Sequence, residues 1–264
     1  MLVNFYTQTY RYFHHPVYQQ VRHETYRDED FGQNGWLTKE EFLQFLTWIA
    51  PKPRATLLDI GSGSGGPALF IAQQFHASVI GIERNEYGVA TAKQMVERFQ
   101  LHALVQFQLA DVVNCLPFDD YYFDSIICID ALGLVRTRLQ MFKEWHRILK
   151  DGGYALFTDQ ILTGFVSSEE VIMRSRIGPF SMTSLGHNER LLNEADLKLL
   201  RCEDVTENVV AVSERWYHAR QKQALQLSEI EGETFQEIQQ YLTVVHMLAD
   251  ERRLSRYVFV VRKA

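Results

Sequence analysis

The stretch Leu57-Leu58-Asp59-Ile60-Gly61-Ser62-Gly63-Ser64-Gly65-Gly66 joins a short apolar run to a series of glycines. An apolar run that ends in this way is typical of a buried parallel strand. The glycines that follow allow the backbone to approach a ligand closely. Pro67 favours a helix directly after the turn, because proline fits the first helical position. Gly61, Gly63 and Gly66 also match G-x-G-x-x-G, so a dinucleotide-binding fold is one interpretation.

Strand-like and helix-like patterns alternate on both sides of this turn. Strands are predicted at 55–60, 77–82, 104–109, 125–129, 154–158, about 202–209 and 256–262. Helices are predicted between the earlier strands, at 189–200, and at about 213–249 with a break near Gly232. This alternation predicts a doubly wound α/β fold with a parallel sheet covered on both faces and one late strand reversed.

The chain divides into an N-terminal arm and one larger unit. Residues 1–36 are rich in aromatic residues and histidine and are expected to form a helical arm. Thr38 and Glu41 predict a capping box at the start of the next helix. The larger unit, 37–264, is expected to include a lid at about 164–186 and a helical insertion at about 213–249.

Composition excludes several classes of protein. The chain has 264 residues, 46% hydrophobic and 23% charged, which is too apolar for disorder. Its net charge of −6 disfavours nucleic acid as a partner. The three cysteines are too widely spaced for a zinc pattern or a disulfide framework, so no metal is expected. Without a signal peptide or an apolar stretch long enough for a membrane span, we expect a cytoplasmic protein. Its oligomeric state is left open.

Acidic residues close five successive predicted strands. They are Asp59, Glu83, Asp111, Asp130 and Asp159. The carboxyl ends of strands in an open α/β sheet surround the ligand crevice, so these side chains should converge there. Carboxylates at the second and third strand ends can meet ribose hydroxyls and an adenine amino group. A carboxylate before the first glycine opposes a diphosphate, so the pattern favours a nucleoside attached to a cationic group.

The chain resembles the class I S-adenosylmethionine-dependent methyltransferases over about residues 37–264. The resemblance rests on five motifs in order, Leu57–Gly65, Gly81-Ile82-Glu83, Ala110-Asp111, Phe123-Asp124-Ser125-Ile126-Ile127 and Leu149-Lys150-Asp151-Gly152-Gly153. It implies a Rossmann-like, seven-stranded sheet with an antiparallel last strand. It also implies S-adenosyl-L-methionine as cofactor and S-adenosyl-L-homocysteine as product.

The resemblance implies a set of cofactor-binding residues. Glu83 would contact the ribose and Asp111 the adenine, while the turn from Gly61 to Gly65 would lie beside the methionine part. The full predicted set is Asp59, Gly61, Ser62, Gly63, Gly65, Glu83, Arg84, Asp111, Val112 and Asp130.

Within that family the chain looks most like the small-molecule branch. That branch includes sarcosine/dimethylglycine, phosphoethanolamine, tocopherol and sterol methyltransferases. The similarity is carried by Asp130-Ala131-Leu132, Phe157-Thr158-Asp159 and Ser184-Leu185-Gly186. Gly133-Leu134-Val135 stands where many members carry a histidine, so a histidine-based mechanism does not transfer directly. The resemblance implies a small-molecule acceptor methylated on N, O or C.

Candidate catalytic residues are few. Asp130 could orient or deprotonate the acceptor, or serve only as a strand-end aspartate. His14, His15 and His187 are possible bases, although such histidines are more often solvated. Trp36, Trp216 and Tyr217 could wall a pocket or pack in a core. The basic run Arg252, Arg253, Arg256 and Arg262 is interpreted as a solvated sheet edge.

Two alternatives stay open beside the methyltransferase. The glycine string also allows an NAD-dependent dehydrogenase, although the carboxylate of Asp59 is badly placed for a diphosphate. A non-catalytic S-adenosylmethionine-binding protein on the same fold is the other. A nucleic-acid base methyltransferase is disfavoured, because Asp130-Ala131-Leu132-Gly133 replaces the Asn/Asp-Pro-Pro-aromatic motif.

Overall fold

The computed structural model describes residues 5–111, 116–176 and 180–264. Its strands are β1 Thr56–Ile60, β2 Ser78–Glu83, β3 Val105–Leu109, β4 Phe123–Cys128, β5 Leu149–Leu162, β6 Thr183–Ser184, β7 Leu197–Asp204 and β8 Leu254–Lys263. Its helices are α1 Phe5–Arg11, α2 Pro16–Tyr26, α3 Lys39–Ile49, α4 Gly66–Phe75, α5 Glu86–Phe99, α6 Arg138–Ile148, α7 Ser168–Arg174, α8 His187–Glu194, α9 Glu207–Lys222, α10 Ala224–Glu231 and α11 Thr234–Asp250.

The strands form one sheet in the order β3-β2-β1-β4-β5-β8-β7. The strands β1 to β5 are mutually parallel, and β8 runs antiparallel to both of its neighbours. This confirms the predicted α/β sheet with a reversed last strand. An eighth, two-residue strand, β6, pairs with the end of β5, because β5 runs to Leu162 and offers an edge there.

Helices cover both faces of the sheet. Leu57 packs on the side that carries α3, α4 and α5, whereas its neighbour Leu58 packs on the side that carries α6 and α8. Successive strand residues point to opposite faces, so a continuous apolar run requires burial on both. The apolar stretch before the glycine turn therefore becomes the central strand β1.

A third core lies among α1, α2, α9, α10 and α11, which we call the helical cap. It contains Phe5, Val17, Tyr18, Val21, Tyr26, Trp36, Val209, Val212, Trp216, Ala219, Leu227, Phe235, Ile238, Tyr241, Leu242, Val245 and Ala249. The Tyr18 hydroxyl donates a 2.6 Å hydrogen bond to Glu231. The aromatic N-terminal helices therefore pack on the late helices, which break at Gly232 as predicted.

Two predicted elements in the last third are wrong. The helix predicted at 189–200 ends at Glu194, because Asp196 takes a left-handed conformation with φ of 55° and strand β7 begins at Leu197. The strand predicted at about 202–209 is therefore displaced toward the N-terminus. Asp204 accepts the N–H of Thr206 at 2.9 Å and turns the chain into α9.

The capping box predicted at α3 forms only in part. Thr38 accepts the N–H of Glu41 at 3.2 Å, as expected of an N-cap. The Glu41 carboxylate instead accepts two hydrogen bonds from Arg256, at 2.7 and 2.8 Å. The Glu41 carboxylate therefore pairs with a buried arginine instead of completing the capping box at the start of the helix.

Every helix within the described ranges is too short or too polar to cross a membrane.

Candidate functional site

A cavity of about 260 Å³ lies at the carboxyl ends of the strands, and we call it the main cavity. The predicted residues Gly61, Glu83, Arg84, Asp111 and Asp130 line it together. They come from the ends of different strands, which parallel pairing brings to one edge of the sheet. Tyr6 and Tyr10 of α1 line the cavity as well.

The glycine turn forms one wall of this site and admits no larger side chain. Gly61 has φ of 72°, and a Cβ there would lie 2.6 Å from the Cβ of Ala131. A Cβ on Gly63, with φ of 53°, would lie 2.7 Å from the Tyr10 hydroxyl. Both positions therefore require glycine, for conformation and for space. Gly65 lies behind the turn, at the N-cap of α4.

Glu83 is fixed at the end of β2 by backbone hydrogen bonds. Its carboxylate accepts the N–H of Asn85 at 2.8 Å and the N–H of Gly63 at 3.1 Å. Burial raises the pKa of Glu83, and these N–H groups oppose that rise. A carboxylate has lone pairs beyond these two bonds, so Glu83 can also accept hydrogen bonds from a ligand.

Two buried polar atoms beneath the turn have no hydrogen-bond partner among the residues that the structure describes. Asp59 is 2% exposed, and its Oδ2 accepts no hydrogen bond within the described residues. The buried Ser62 hydroxyl is likewise without a partner there. Burial raises the pKa of Asp59 to about 7, and the charge on Glu83 adds to this. Buried polar atoms in native proteins are nearly always satisfied, so these two fit a ligand that brings donors and positive charge.

Asp130 is held by partners from three distant segments. It accepts the N–H of Trp36 at 2.9 Å, the Nε–H of Arg256 at 2.7 Å and the hydroxyl of Thr158 at 2.9 Å. Arg256 is fully buried between Asp130 and Glu41. The interpretation of Arg256 as part of a solvated edge is therefore wrong, because β8 lies between β5 and β7 rather than at the edge of the sheet.

A second, smaller space adjoins the main cavity, and we call it the aromatic pocket. Its volume is about 30 Å³, and it shares Tyr6, Asn34, Asp130 and Leu134 with the main cavity. Its other lining residues are Phe5, Gly35, Trp36, Gly133, Thr158, Asp159, Gln160, Arg174, Phe180, Trp216 and Tyr241. The helical cap and the strand ends thus meet at this pocket. Tyr217 is absent from the described lining.

Two buried arginines that no sequence pattern indicated support the aromatic pocket, Arg174 as a lining residue and Arg138 as the partner of a lining aspartate. Asp159 pairs with buried Arg138 and accepts the amide of Asn188 at 2.8 Å. Arg174 ends α7, whose start carries the capping box Ser167 to Glu170. That S-x-x-E pattern is a sequence signal for this helix. Tertiary packing brings both arginines to their partners, so no local sequence pattern indicates these contacts.

The predicted histidines lie away from both spaces. His14 is exposed beside a groove that contains Arg22 and Asp30. The His15 side chain accepts the N–H of Val17 at 3.4 Å and caps α2. His187 lies in the first turn of α8, 3.1 Å from Arg190. None of the three histidines is among the described lining residues of the main cavity or the aromatic pocket. Val112 lies outside the described residues.

Comparisons with known proteins agree with this architecture. Residues 58–157 match a family model described as a methyltransferase domain. Phosphoethanolamine N-methyltransferase 3 of Arabidopsis thaliana is 25% identical over 220 residues, covering 83% of this chain and 44% of the relative. The chain thus spans less than half of that relative's length.

Two solved structures share the fold. A cyclopropane synthase from Mycobacterium tuberculosis has a TM-score of 0.81 at 16% identity and covers 99% of both chains. A phosphoethanolamine N-methyltransferase from Haemonchus contortus, in complex with phosphomonomethylethanolamine and S-adenosylhomocysteine, has a TM-score of 0.78 at 19% identity. It covers 96% of this chain and 60% of its own.

Proposed function

We propose, from the premise that residues 58–157 form a methyltransferase domain, that the chain transfers a methyl group from S-adenosyl-L-methionine to a small-molecule acceptor. The observation that carries the proposal is the pair of unsatisfied buried atoms on Asp59 and Ser62 beneath the glycine turn. They line a smaller space that shares Tyr10, Gly61 and Asp130 with the main cavity. In the main cavity, Glu83 and Asp111 lie at neighbouring strand ends. A nucleoside with a cationic amino-acid tail supplies the hydrogen-bond donors and positive charge that such a site lacks.

Each proposed contact follows from the chemistry of the chain's own groups. Glu83 would accept hydrogen bonds from the ribose hydroxyls, and Asp111 from the adenine amino group. The turn at Gly61 and Gly63 would leave room for the amino-acid tail, with Asp59 facing its positive charge. Arg84 and the backbone beside it border the same cavity.

The bound cofactor supplies an electrophilic methyl group on a sulfonium. The chain's task is then to orient the acceptor for in-line attack and to exclude water, since alignment alone can contribute several kcal/mol. The aromatic pocket, walled by the helical cap and the strand ends, is suited to exclude water. Its space of about 30 Å³ is close to the volume of one water, so it must widen to admit an acceptor. Asp130 lies where the two spaces meet, and its bonds to Trp36 and Arg256 favour a positioning role over proton removal.

The dehydrogenase alternative fits the site less well. Asp59 would carry negative charge beside a diphosphate, and its buried carboxylate has no neutralising partner among the described residues. A non-catalytic binding protein needs the same nucleoside contacts, so only turnover separates it from an enzyme.

The test combines binding with transfer. S-adenosylhomocysteine should raise the melting temperature of the purified chain, whereas NAD should not. A screen of metabolites with methyl-labelled donor, read by mass spectrometry, should then identify a methylated product. Failure to bind the nucleoside at millimolar concentration would overturn the proposal. Binding without transfer to any acceptor would favour the non-catalytic alternative.

A substitution at Glu83 tests the contact most directly. Glu83→Gln should weaken S-adenosylhomocysteine binding roughly tenfold to a hundredfold, the range expected for losing charge-assisted hydrogen bonds. Glu97→Gln is the matched control, since Glu97 lies on α5 with its side chain 74% exposed. Calorimetry of both variants decides, and equal affinities would remove Glu83 from the site.

The broader sequence-based expectations form part of the same proposal. The helical arm at 1–36, the domain at 37–264, the lid at 164–186 and the insertion at 213–249 remain its domain divisions. A cytoplasmic location and the absence of a nucleic-acid partner also remain predictions, supported by the net charge of −6. The choice among N, O and C acceptors belongs to the metabolite screen.

A further inference from the structure

Arg174 is a buried arginine, and none of the carboxylates in the described residues pairs with it. It is 4% exposed, and its guanidinium donates one 2.7 Å hydrogen bond to Gln160. Its Cζ lies 4.0 Å from the ring centre of Phe180 and 4.9 Å from that of Tyr241. Within the described residues it forms no ion pair, and its Nε has no hydrogen-bond partner. A buried charge left in this way is costly, so the site is built for something that completes it.

The acidic groups that line the same pocket are already engaged. Asp159 pairs with Arg138, and Asp130 shares Arg256 with Glu41. Asp130, Glu41 and Arg256 together carry one net negative charge. That charge can attract Arg174 at a distance, but neither carboxylate accepts a hydrogen bond from Arg174 among the described residues. Among the described residues that line the pocket, Arg174 is therefore the cation whose N–H groups remain available to a ligand.

Neutral donors flank the guanidinium. Tyr6 and Tyr241 line the aromatic pocket with Arg174. Burial raises the pKa of both phenols, so they stay protonated at neutral pH. Neither hydroxyl takes part in a hydrogen bond between described residues, which leaves both available to donate to a bound anion.

We propose that Arg174 binds an anionic group, a carboxylate or a phosphate, on the methyl acceptor, with the apolar part of that acceptor against Trp36 and Trp216. The inference rests on the proposed function and specifies its substrate class. Arginine matches such anions because its planar fork can donate two parallel hydrogen bonds.

The same arrangement disfavours a cationic acceptor. Aromatic rings alone would attract an ammonium group. Here the Arg174 guanidinium already lies against Phe180 and Tyr241, and its charge would repel a second cation in so small a space.

A matched series of small probes tests the proposal on the whole chain saturated with S-adenosylhomocysteine. The probes are phenylacetate, phenyl phosphate, 2-phenylethanol and phenethylammonium, and their affinities are measured by ligand-observed NMR. At least one anion should bind roughly tenfold more tightly than the alcohol, and the ammonium should bind most weakly. The tighter of the two anions identifies the carboxylate or the phosphate as the acceptor's group. Equal affinity for anions and alcohol, or no anion binding at millimolar concentration, overturns the inference.

Two variants and a control assign the effect to Arg174. Arg174→Met should abolish the preference for anions while leaving S-adenosylhomocysteine affinity unchanged, and Arg174→Lys should keep part of it. Arg201→Gln is the control, because Arg201 also stacks on an aromatic ring, 4.5 Å from Trp48, but on the surface. An anion preference that survives Arg174→Met would overturn the assignment. If that variant fails to fold, the lysine variant and the unaltered chain still decide.

The outcomes separate this inference from the proposed function. Loss of S-adenosylhomocysteine binding in the unaltered chain would overturn both. Intact nucleoside binding with no preference for anions would overturn only the inference that the acceptor carries an anionic group.

Discussion

Asp59 carries a protonation equilibrium near neutral pH, because burial raises its pKa to about 7. A ligand with a positive charge beside it favours the ionised form. The affinity for S-adenosylhomocysteine should therefore rise roughly tenfold between pH 6 and pH 8, as the free protein loses the proton that binding would otherwise have to remove. Calorimetry across this range measures the slope.

Asp59→Asn is the control for this slope. Its side chain cannot ionise, so its affinity should be nearly constant from pH 6 to pH 8. In the protein without ligand, the raised pKa means that the folded state retains a proton which the unfolded state releases above its ordinary pKa. Asp59 thus lowers stability as pH rises from about 4 to about 7, and the variant should lack this loss. The same pH slope in both proteins would contradict the assignment.

Asp130 anchors one corner of the site through Arg256. Asp130→Ala should lower the free energy of unfolding by about 3 kcal/mol, because it removes one of the two carboxylates that pair with buried Arg256 among the described residues. Urea unfolding measures this loss, and turnover should fall more than cofactor affinity. Asp120→Ala removes a surface partner of Arg147 and should cost less than about 1 kcal/mol. Unchanged stability with lost turnover would point instead to direct action on the acceptor.

The sequence predicted the positions of these acidic residues, but it did not predict their contacts. Strand ends are local features, so the placement of Asp59, Glu83 and Asp130 followed from the strand pattern. The partners of Asp130 could not be predicted in this way, since Trp36 and Arg256 lie 94 and 126 positions away. An arginine on an interior strand looks, in sequence, like one on an edge strand.

At the scale of elements, α1 covers the main cavity. Its Tyr6 and Tyr10 line that cavity, and α5 holds the helix in place. The Thr91 hydroxyl donates to the carbonyl of Tyr10 at 3.0 Å, and the Asn85 amide donates to Thr7 at 2.7 Å. A ligand of nucleoside size in this cavity would contact α1, so we expect the attachment of α1 to influence how fast the ligand leaves.

Weakening that attachment should speed ligand exchange. Thr91→Val removes the hydrogen bond to Tyr10 and should raise the dissociation rate of S-adenosylhomocysteine several-fold, since such a bond contributes about 1 kcal/mol. Stopped-flow displacement measures the rate. Thr47→Val is the control, because the Thr47 hydroxyl donates to the carbonyl of Gln44 on the exposed face of α3. Equal rates in both variants would show that α1 does not limit exchange.

Local patterns predicted most elements of the sheet and failed where long-range pairing decided. Asn85 caps α5, with its side chain accepting the N–H of Tyr87 at 3.0 Å. This is a local pattern, since Asn is a preferred N-cap residue. The leucines between 191 and 200 fit helical spacing, yet Leu197 and Leu199 pair with β8. The hydrogen bonds of β8 outweighed a weak helical preference that ends at Asp196.

Across the whole molecule, Glu231 joins the first and last parts of the helical cap. It accepts hydrogen bonds from Tyr18 and from Arg220, at 2.6 and 2.5 Å. Glu231→Gln should lower the free energy of unfolding by about 3 kcal/mol, because Arg220 would stay buried without a counter-charge. Hydrogen exchange should accelerate in α9 and α11 more than in the sheet.

A surface pair between the same regions provides the comparison. Glu24→Gln removes the ion pair with Lys222, which is 67% exposed, and should cost less than about 1 kcal/mol. If both variants lose equal stability, the buried position of Glu231 is not what makes it important.

The hydrogen bond between Tyr18 of α2 and Glu231 of α10 joins residues that are 213 positions apart in the chain. This separation has a consequence for biosynthesis. While a ribosome is still translating the middle of the message, the aromatic residues of α1 and α2 that belong to the helical cap lack their partners in α9–α11. We expect the nascent polypeptide to be vulnerable to proteases and to recruit chaperones until α9–α11 emerge. Limited digestion of stalled nascent chains of increasing length would detect the moment of protection, and early resistance would contradict this expectation.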